Sequence, residues 1–198
     1  MPRLRETTRA ARREQILLAA QTCFARRGYH AATMEDIAAE ANTAKGAAYV
    51  YFDGKEAIFL ALYDDWGCAL RAEIEAALEA LSPGARAAAK QVLRIVLKVT
   101  GRHVQANARA CRVLMEGHHL AAFVPAIAER VGREQLEGQR HIEALIRTGV
   151  EAGEWPACTD VSARATLVRA TMHGLMATWH AAPGSFEWEA LAELLVDW

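Results

Sequence analysis

The chain has 198 residues, 53% of them apolar, and a formal net charge of −1 at neutral pH. That is ample material for a sizeable core, while no apolar run is long enough to span a membrane, so no membrane partner is expected. The charge is unevenly spread: residues 1–55 carry nine Lys and Arg against six Asp and Glu, and residues 56–198 carry fourteen against eighteen. A basic head on an acidic body is expected of a chain whose head meets an anionic partner, or of one with a solvated basic arm.

Apolar residues recur three and four apart almost from end to end, and period-two alternation is scarce, which predicts an all-α fold. The first helix is expected from about Arg9 to Arg27, with Ile16, Ala19, Ala20, Cys23 and Phe24 on one face and Gly28 as its stop. Ahead of it lies an arm rich in arginine: Arg3, Arg5, Arg9, Arg12 and Arg13 against Glu6. Thr33 is placed to cap the second helix, and Glu35 and Asp36 suit the positive end of its dipole. Asn42, at ease in the left-handed region, ends that helix near Ala41. A short helix follows within TAKGAAYVYF, residues 43–52.

Asp53-Gly54 breaks the chain, and a long helix over 55–81 carries Ile58, Leu62, Trp66, Leu70, Ile74 and Leu78 at i, i+4 spacing. Ser82-Pro83-Gly84 is firm punctuation. Helices are then expected at about 85–104, 106–120, 124–152 and 160–181, with Pro125 tolerable in a first turn. Gly153–Pro156 and Pro183-Gly184 separate the later ones, and a final helix starts near Phe186. The four cysteines (Cys23, Cys68, Cys111, Cys158) form no C-x-x-C pair, as expected of reduced thiols. No charged, apolar, small-residue series resembles a signal peptide, so a cytoplasmic location is expected.

Two short helices joined by a tight turn describe a helix-turn-helix over about 33–52, whose second helix would enter the DNA major groove. Ala48 and Phe52, one turn apart, would face inward, leaving Lys45, Gly46, Ala47, Tyr49, Val50 and Tyr51 outward or at the edges. Exposed tyrosines are odd on a core helix and useful on a groove-reading one. Gly46 costs about 1 kcal/mol of helix propensity, tolerable where a backbone must approach DNA. Lys55, at a helix start, is suited to a phosphate.

Residues 13–60 resemble the DNA-binding domain of the tetracycline-repressor (TetR) family of bacterial transcription regulators. The resemblance runs through Ile16, Ala19-Ala20, Phe24, Gly28-Tyr29, Thr33, Asp36-Ile37-Ala38, Lys45-Gly46, Tyr49, Tyr51-Phe52 and Lys55-Glu56. It implies a three-helix head over 10–55 and a helical effector-binding and dimerisation domain over 56–198, joined by the 55–81 helix. It also implies a homodimer on a palindromic double-stranded operator, usually a repressor released by a small ligand. Thr33, Lys45, Tyr49, Tyr51 and Lys55 fall on positions that commonly touch DNA. Ala47 falls where a base-approaching threonine is frequent, Val50 on a variable contacting position, and the arginine arm resembles extensions laid along the groove.

The chain departs from that pattern at Asn42, Thr43, Ala44 and Ala47. Because alanine is a poor N-cap, Thr43 is expected to cap the short helix one residue early. With two hydroxyls missing from the reading face, thymine-methyl contacts and the arm are expected to carry more of the specificity.

In the C-terminal region, Val161, Ala165, Val168, Met172, Met176 and Trp179 form a stripe that reads as core or as a cavity wall. The resemblance implies that helices in this region wall a ligand cavity. Its expected lining is Trp66, Met115, His118, His119, Phe123, Met172, His173, Met176 and Trp179, whose methionines and aromatics suit an apolar or aromatic effector of unknown identity. A dimer face is expected at Leu167, Thr171, Gly174, Leu175, Thr178, Leu191, Leu194 and Leu195. His173 and His180 lie seven apart, too wide for a usual zinc pair, so no metal is expected. No nucleophile motif, phosphate loop or carboxylate pair suggests an enzyme or a cofactor. A DNA-bound interaction protein lacking an effector, or a metal-responsive regulator, are the other readings.

Overall fold

The computed structural model describes residues 2–81 and 88–197, with side chains from residue 9 onward. Among these, nine helices and no strand occur: α1 Pro2–Ala31, α2 Met34–Glu40, α3 Lys45–Tyr49, α4 Lys55–Glu79, α5 Ala89–Ala106, α6 Ala108–Leu120, α7 Pro125–Glu151, α8 Val161–Ala181 and α9 Trp188–Asp197. The expected break at Ser82-Pro83-Gly84 and the side chains of Arg3 and Arg5 lie outside what is described.

The first helix differs from expectation at its start. It begins at Pro2 rather than near Arg9, because Pro2 suits a first turn and no breaker separates it from the apolar stripe. At its far end Gly28 takes φ 76° and ψ 162°, which kinks the helix before one last turn to Ala31. Only glycine adopts that geometry without strain.

Packing divides the chain into two bodies, residues 1–67 with 109–131, and residues 68–108 with 132–198. The first contains α1 to α3, the start of α4, α6 and the start of α7. Its core unites Ile16, Ala20, Cys23 and Phe24 of α1 with Ile37 and Ala38 of α2, Ala48 of α3, and Ile58, Phe59 and Tyr63 of α4. Helix α6 joins this body, although it lies in the stretch assigned above to the C-terminal domain. Gly117 explains the fit: a Cβ there would stand 3.1 Å from the Phe59 ring, so the bare backbone lets α4 approach. Glu116 ties α6 to α1 by accepting a hydrogen bond from the Tyr29 backbone N–H at 2.9 Å.

The second body gathers α5, most of α7, α8 and α9 around Leu93, Leu97, Ile146, Trp155, Val168, Leu195 and Val196. Its α5–α9 pairing depends on Gly101, where a Cβ would meet Trp188 Cγ at 2.8 Å. The Glu154 carboxylate accepts from the free N–H groups of Ala89 (2.9 Å) and Lys90 (2.8 Å), capping α5 from the connection between α7 and α8. All four cysteines are free thiols, and burial pushes Cys111 up to about 12.

Candidate DNA-reading face

The face is built on α2 and α3, and α2 is held at both ends. At its start, Thr33 Oγ1 accepts from the Asp36 N–H (3.1 Å), while an Asp36 oxygen accepts from the Thr33 N–H (3.0 Å). This reciprocal capping box satisfies two otherwise orphaned donors. The Thr33 contacts, with Arg27 beside them, hold the Asp36 carboxyl below the usual carboxylate range. Thr33→Ala is expected to destabilise the head by about 1–2 kcal/mol in urea unfolding, because a cap is lost without a substitute.

At its end, Asn42 takes φ 49°. The Thr43 N–H then reaches the Ala38 carbonyl (2.9 Å) and the Asn42 N–H the Ala39 carbonyl (3.1 Å). Those two bonds make a Schellman closure, here supplied by asparagine instead of glycine. Gln15 of α1 donates to the Ala41 carbonyl at 2.8 Å, which pins the turn to the helix behind it. The motif is therefore held by side-chain caps at its start and backbone bonds at its turn.

Helix α3 has only five residues, and its N-cap Ala44 makes no side-chain hydrogen bond. The expectation that Thr43 caps α3 is corrected: that residue serves instead as the last donor of the α2 closure. The helix is held from below. Ala48 is fully buried and Phe52 is 7% exposed, and the Arg13 guanidinium stacks 5.3 Å from the Phe52 ring centre.

Facing away from that anchor, Lys45, Gly46, Tyr49 and Val50 are exposed, Val50 most of all at 69%. Thr43, Ala47 and Tyr51 are half-buried, and Tyr51 packs along the core's rim. A Cβ on Gly46 would meet nothing within 4 Å, so the head's own packing does not require glycine there. An exposed valine beside an exposed tyrosine, with nothing of the head covering them, is apolar surface suited to thymine methyl groups.

Two lysines behave differently from their sequence reading. Lys45 is paired with Glu35 of the first turn of α2, and that hydrogen bond holds the Glu35 carboxyl low and the Lys45 ammonium high. Lys55 is turned inward. Its Nζ donates to the carbonyls of Tyr29 (2.8 Å), His30 (3.0 Å) and Ala32 (3.2 Å), and lies 4.6 Å from the Tyr29 ring centre. Those carbonyls lie at and just past the end of α1, where the chain leaves the helix and no following N–H can reach them, so the ammonium closes that end. Lys55, expected at a phosphate, is a staple of the head. In the sequence Glu35 reads only as an acid at the start of α2 and Glu116 does not stand out at all, since their partners lie 10 and 87 positions away in the chain.

The residues expected to line an effector site fall on both bodies. In the first, Trp66, Met115 and His118 are half-buried, whereas His119 and Phe123 are exposed and stack edge-to-face at 5.3 Å. Phe123 is 66% exposed because it follows the end of α6 in the turn before α7. In the second, Met172, His173, Met176 and Trp179 are half-buried along α8, and burial lowers the His173 imidazole's proton affinity. A cleft of about 590 Å³ in the second body is lined by Lys90, Arg94, Lys98 and Glu154 among others, and by none of the nine expected residues. The void among Gln21, Leu62, Val113 and Leu114 in the first measures about 10 Å³, room for one water at most.

The expected dimer face is divided by the structure. On α8, Leu167, Gly174 and Thr178 are exposed and Thr171 and Leu175 half-buried; a Cβ on Gly174 would meet nothing within 4 Å. On α9, Leu194 is 66% exposed and Leu191 half-buried, but Leu195 is 8% exposed within the core. Leu195 is thus corrected from dimer face to core: Ala192, Leu195 and Val196 share the side of α9 turned inward. Among the described residues, no group of His, Cys, Asp or Glu is placed to hold a metal, and no helix is long and apolar enough to cross a membrane.

Residues 16–62 match the family model described as bacterial regulatory proteins, tetR family. Residues 89–198 match one described as MAATS-type transcriptional repressor, C-terminal region. The transcriptional regulator AcrR of Shigella flexneri is 30% identical over 180 residues, covering 88% of this chain and 81% of its own. The fatty acid metabolism regulator protein of Bacillus subtilis is 26% identical over 192 residues, covering 92% and 91%. Among solved structures, the regulator FadR of Bacillus subtilis in complex with stearoyl-CoA superposes with a TM-score of 0.76 at 21% identity, covering 93% of this chain and 95% of that one. A TetR-like regulator from Rhodococcus sp. RHA1 gives a TM-score of 0.76 at 23% identity, covering 95% and 93%. At those identities the two structures speak for the fold.

Proposed function

Because the chain belongs to the tetR family of bacterial regulatory proteins, we propose that it works as a homodimeric repressor released from a palindromic operator by a small apolar or aromatic ligand. Its class is plain: a DNA-binding transcriptional regulator, not an enzyme. The observation that carries the finer reading is the surface of α3. Lys45, Gly46 and Tyr49 of a five-residue helix and Val50 just after it stand exposed, while Ala48 and, beyond the helix, Phe52 lock the opposite side into the core. So short a helix reads few bases, and a two-fold partner doubles the contacts.

Pairing of two chains is supported by an open strip of small residues and leucine on α8, Leu167, Gly174 and Thr178, with Leu194 exposed on α9. Within the chain α9 is taken up by α5, through Trp188 on Gly101 and the ion pairs of Glu193 with Arg94 and Lys98. That leaves the outer sides of α8 and α9 for another copy. The ligand class is supported by the half-buried Met172, Met176 and Trp179, adaptable apolar side chains along one helix. The Bacillus subtilis relative was solved with stearoyl-CoA, which favours a ligand with a long apolar portion.

An operator selected from a random duplex pool, then followed by fluorescence anisotropy, tests this reading. Two chains per palindromic site are expected. Stearoyl-CoA and a panel of aromatic compounds should include a member that weakens operator binding, and operator should weaken that compound's binding by the same factor. One chain per site, or equal ligand affinity with and without operator, would overturn it.

A further inference from the structure

Glu35 is an acid on a surface that meets a polyanion. It lies in the first turn of α2, and its Oε1 accepts from Lys45 Nζ at the start of α3. The ammonium best placed on α3 to reach a phosphate is therefore already engaged, and a phosphate drawn to it would come up against the Glu35 carboxylate. The pair is free to open, since the Lys45 and Glu35 side chains are 51% and 59% exposed. Its neighbours on α2 have other work: Asp36 completes the Thr33 cap and holds Arg27, and Glu40 holds Arg26.

Opening the pair leaves a bare carboxylate against DNA. Among groove edges, the partners that suit an acceptor-only group are exocyclic amino groups, N4 of cytosine above all. A duplex without such a group at that point gives Glu35 only repulsion, and the pair stays shut. Phosphate contacts alone carry no sequence information, so withholding one weakens binding to every sequence except those that reward the opening.

We propose that Glu35 is a specificity-determining residue: it withholds Lys45 from the DNA backbone until a base amino group in the operator takes its carboxylate. This rests on the DNA-binding reading above.

The test compares wild type with Glu35→Gln on the selected operator and on a random-sequence duplex across a salt series. For Glu35→Gln the random duplex should be bound about three- to tenfold more tightly at low salt, with a log–log salt slope steeper by about 0.9 per head, since one more phosphate is neutralised. The operator-to-random affinity ratio should fall by a similar factor. Adding Lys45→Ala to Glu35→Gln should abolish the gain. An unchanged slope and ratio, or a gain that survives Lys45→Ala, would overturn the role of Glu35 while leaving the DNA-binding reading intact. Wild type that binds no duplex in a salt-dependent way would overturn both.

Discussion

Replacing Trp155 with alanine is expected to cost the C-terminal body about 3–5 kcal/mol, as for truncation of a large, fully packed aromatic. Trp155 is 3% exposed, and its indole N–H donates to the Val196 carbonyl at 3.0 Å. Its ring lies against Gly149, where any Cβ would overlap it, and Arg164 stacks on it at 5.0 Å. Truncation removes the packing and takes one of two donors from the Val196 carbonyl near the end of α9, leaving only Arg164 Nη2 at 3.1 Å. Because α9 carries the exposed Leu194, the same variant should also lose self-association. Urea unfolding followed by far-UV circular dichroism, alongside sedimentation, reads both effects. A loss below about 1 kcal/mol would mean that the site refills by collapse and that α9 is held chiefly by Trp188.

Lys55→Met is expected to destabilise the head by about 2 kcal/mol, because the carbonyls of Tyr29, His30 and Ala32 lose their common donor. Burial works against the charge, lowering this ammonium's proton affinity, yet three acceptors and an aromatic face hold it in place. Lys55→Arg should restore little, since a planar fork does not converge on three carbonyls at one point. The distinguishing measurement is the salt dependence of DNA binding. A structural staple leaves the slope unchanged when removed, whereas a phosphate contact would flatten it by about 0.9 per head. A flattened slope with unchanged stability would return Lys55 to the DNA surface.

What could be read in advance was whatever depends on neighbours in the chain. Helix starts and stops were legible because their chemistry is local: Thr33 with Asp36, Asn42 in the left-handed region, Pro125 opening α7. The inward turn of Ala48 and Phe52 followed from helical spacing alone. Side-chain ends were not legible in the same way. A lysine with four methylenes reaches a phosphate or a carbonyl equally well, and only the packing of the end of α1, with its three free carbonyls, beside the start of α4 decides for Lys55. Leu194 and Leu195 differ by 100° around α9, and the position of α5 decides which of them is core.

By itself the sequence determined the all-helical architecture, the helix-turn-helix and the family, since periodicity, caps and motif spacing are written in consecutive residues. Tertiary structure decided the rest. It alone set Lys45 against Glu35, Glu116 against Tyr29 and Trp188 against Gly101, because such pairings depend on which helix faces meet in space. Charge and hydrogen-bonding capacity belong to a residue; what they are used for belongs to the packing around it.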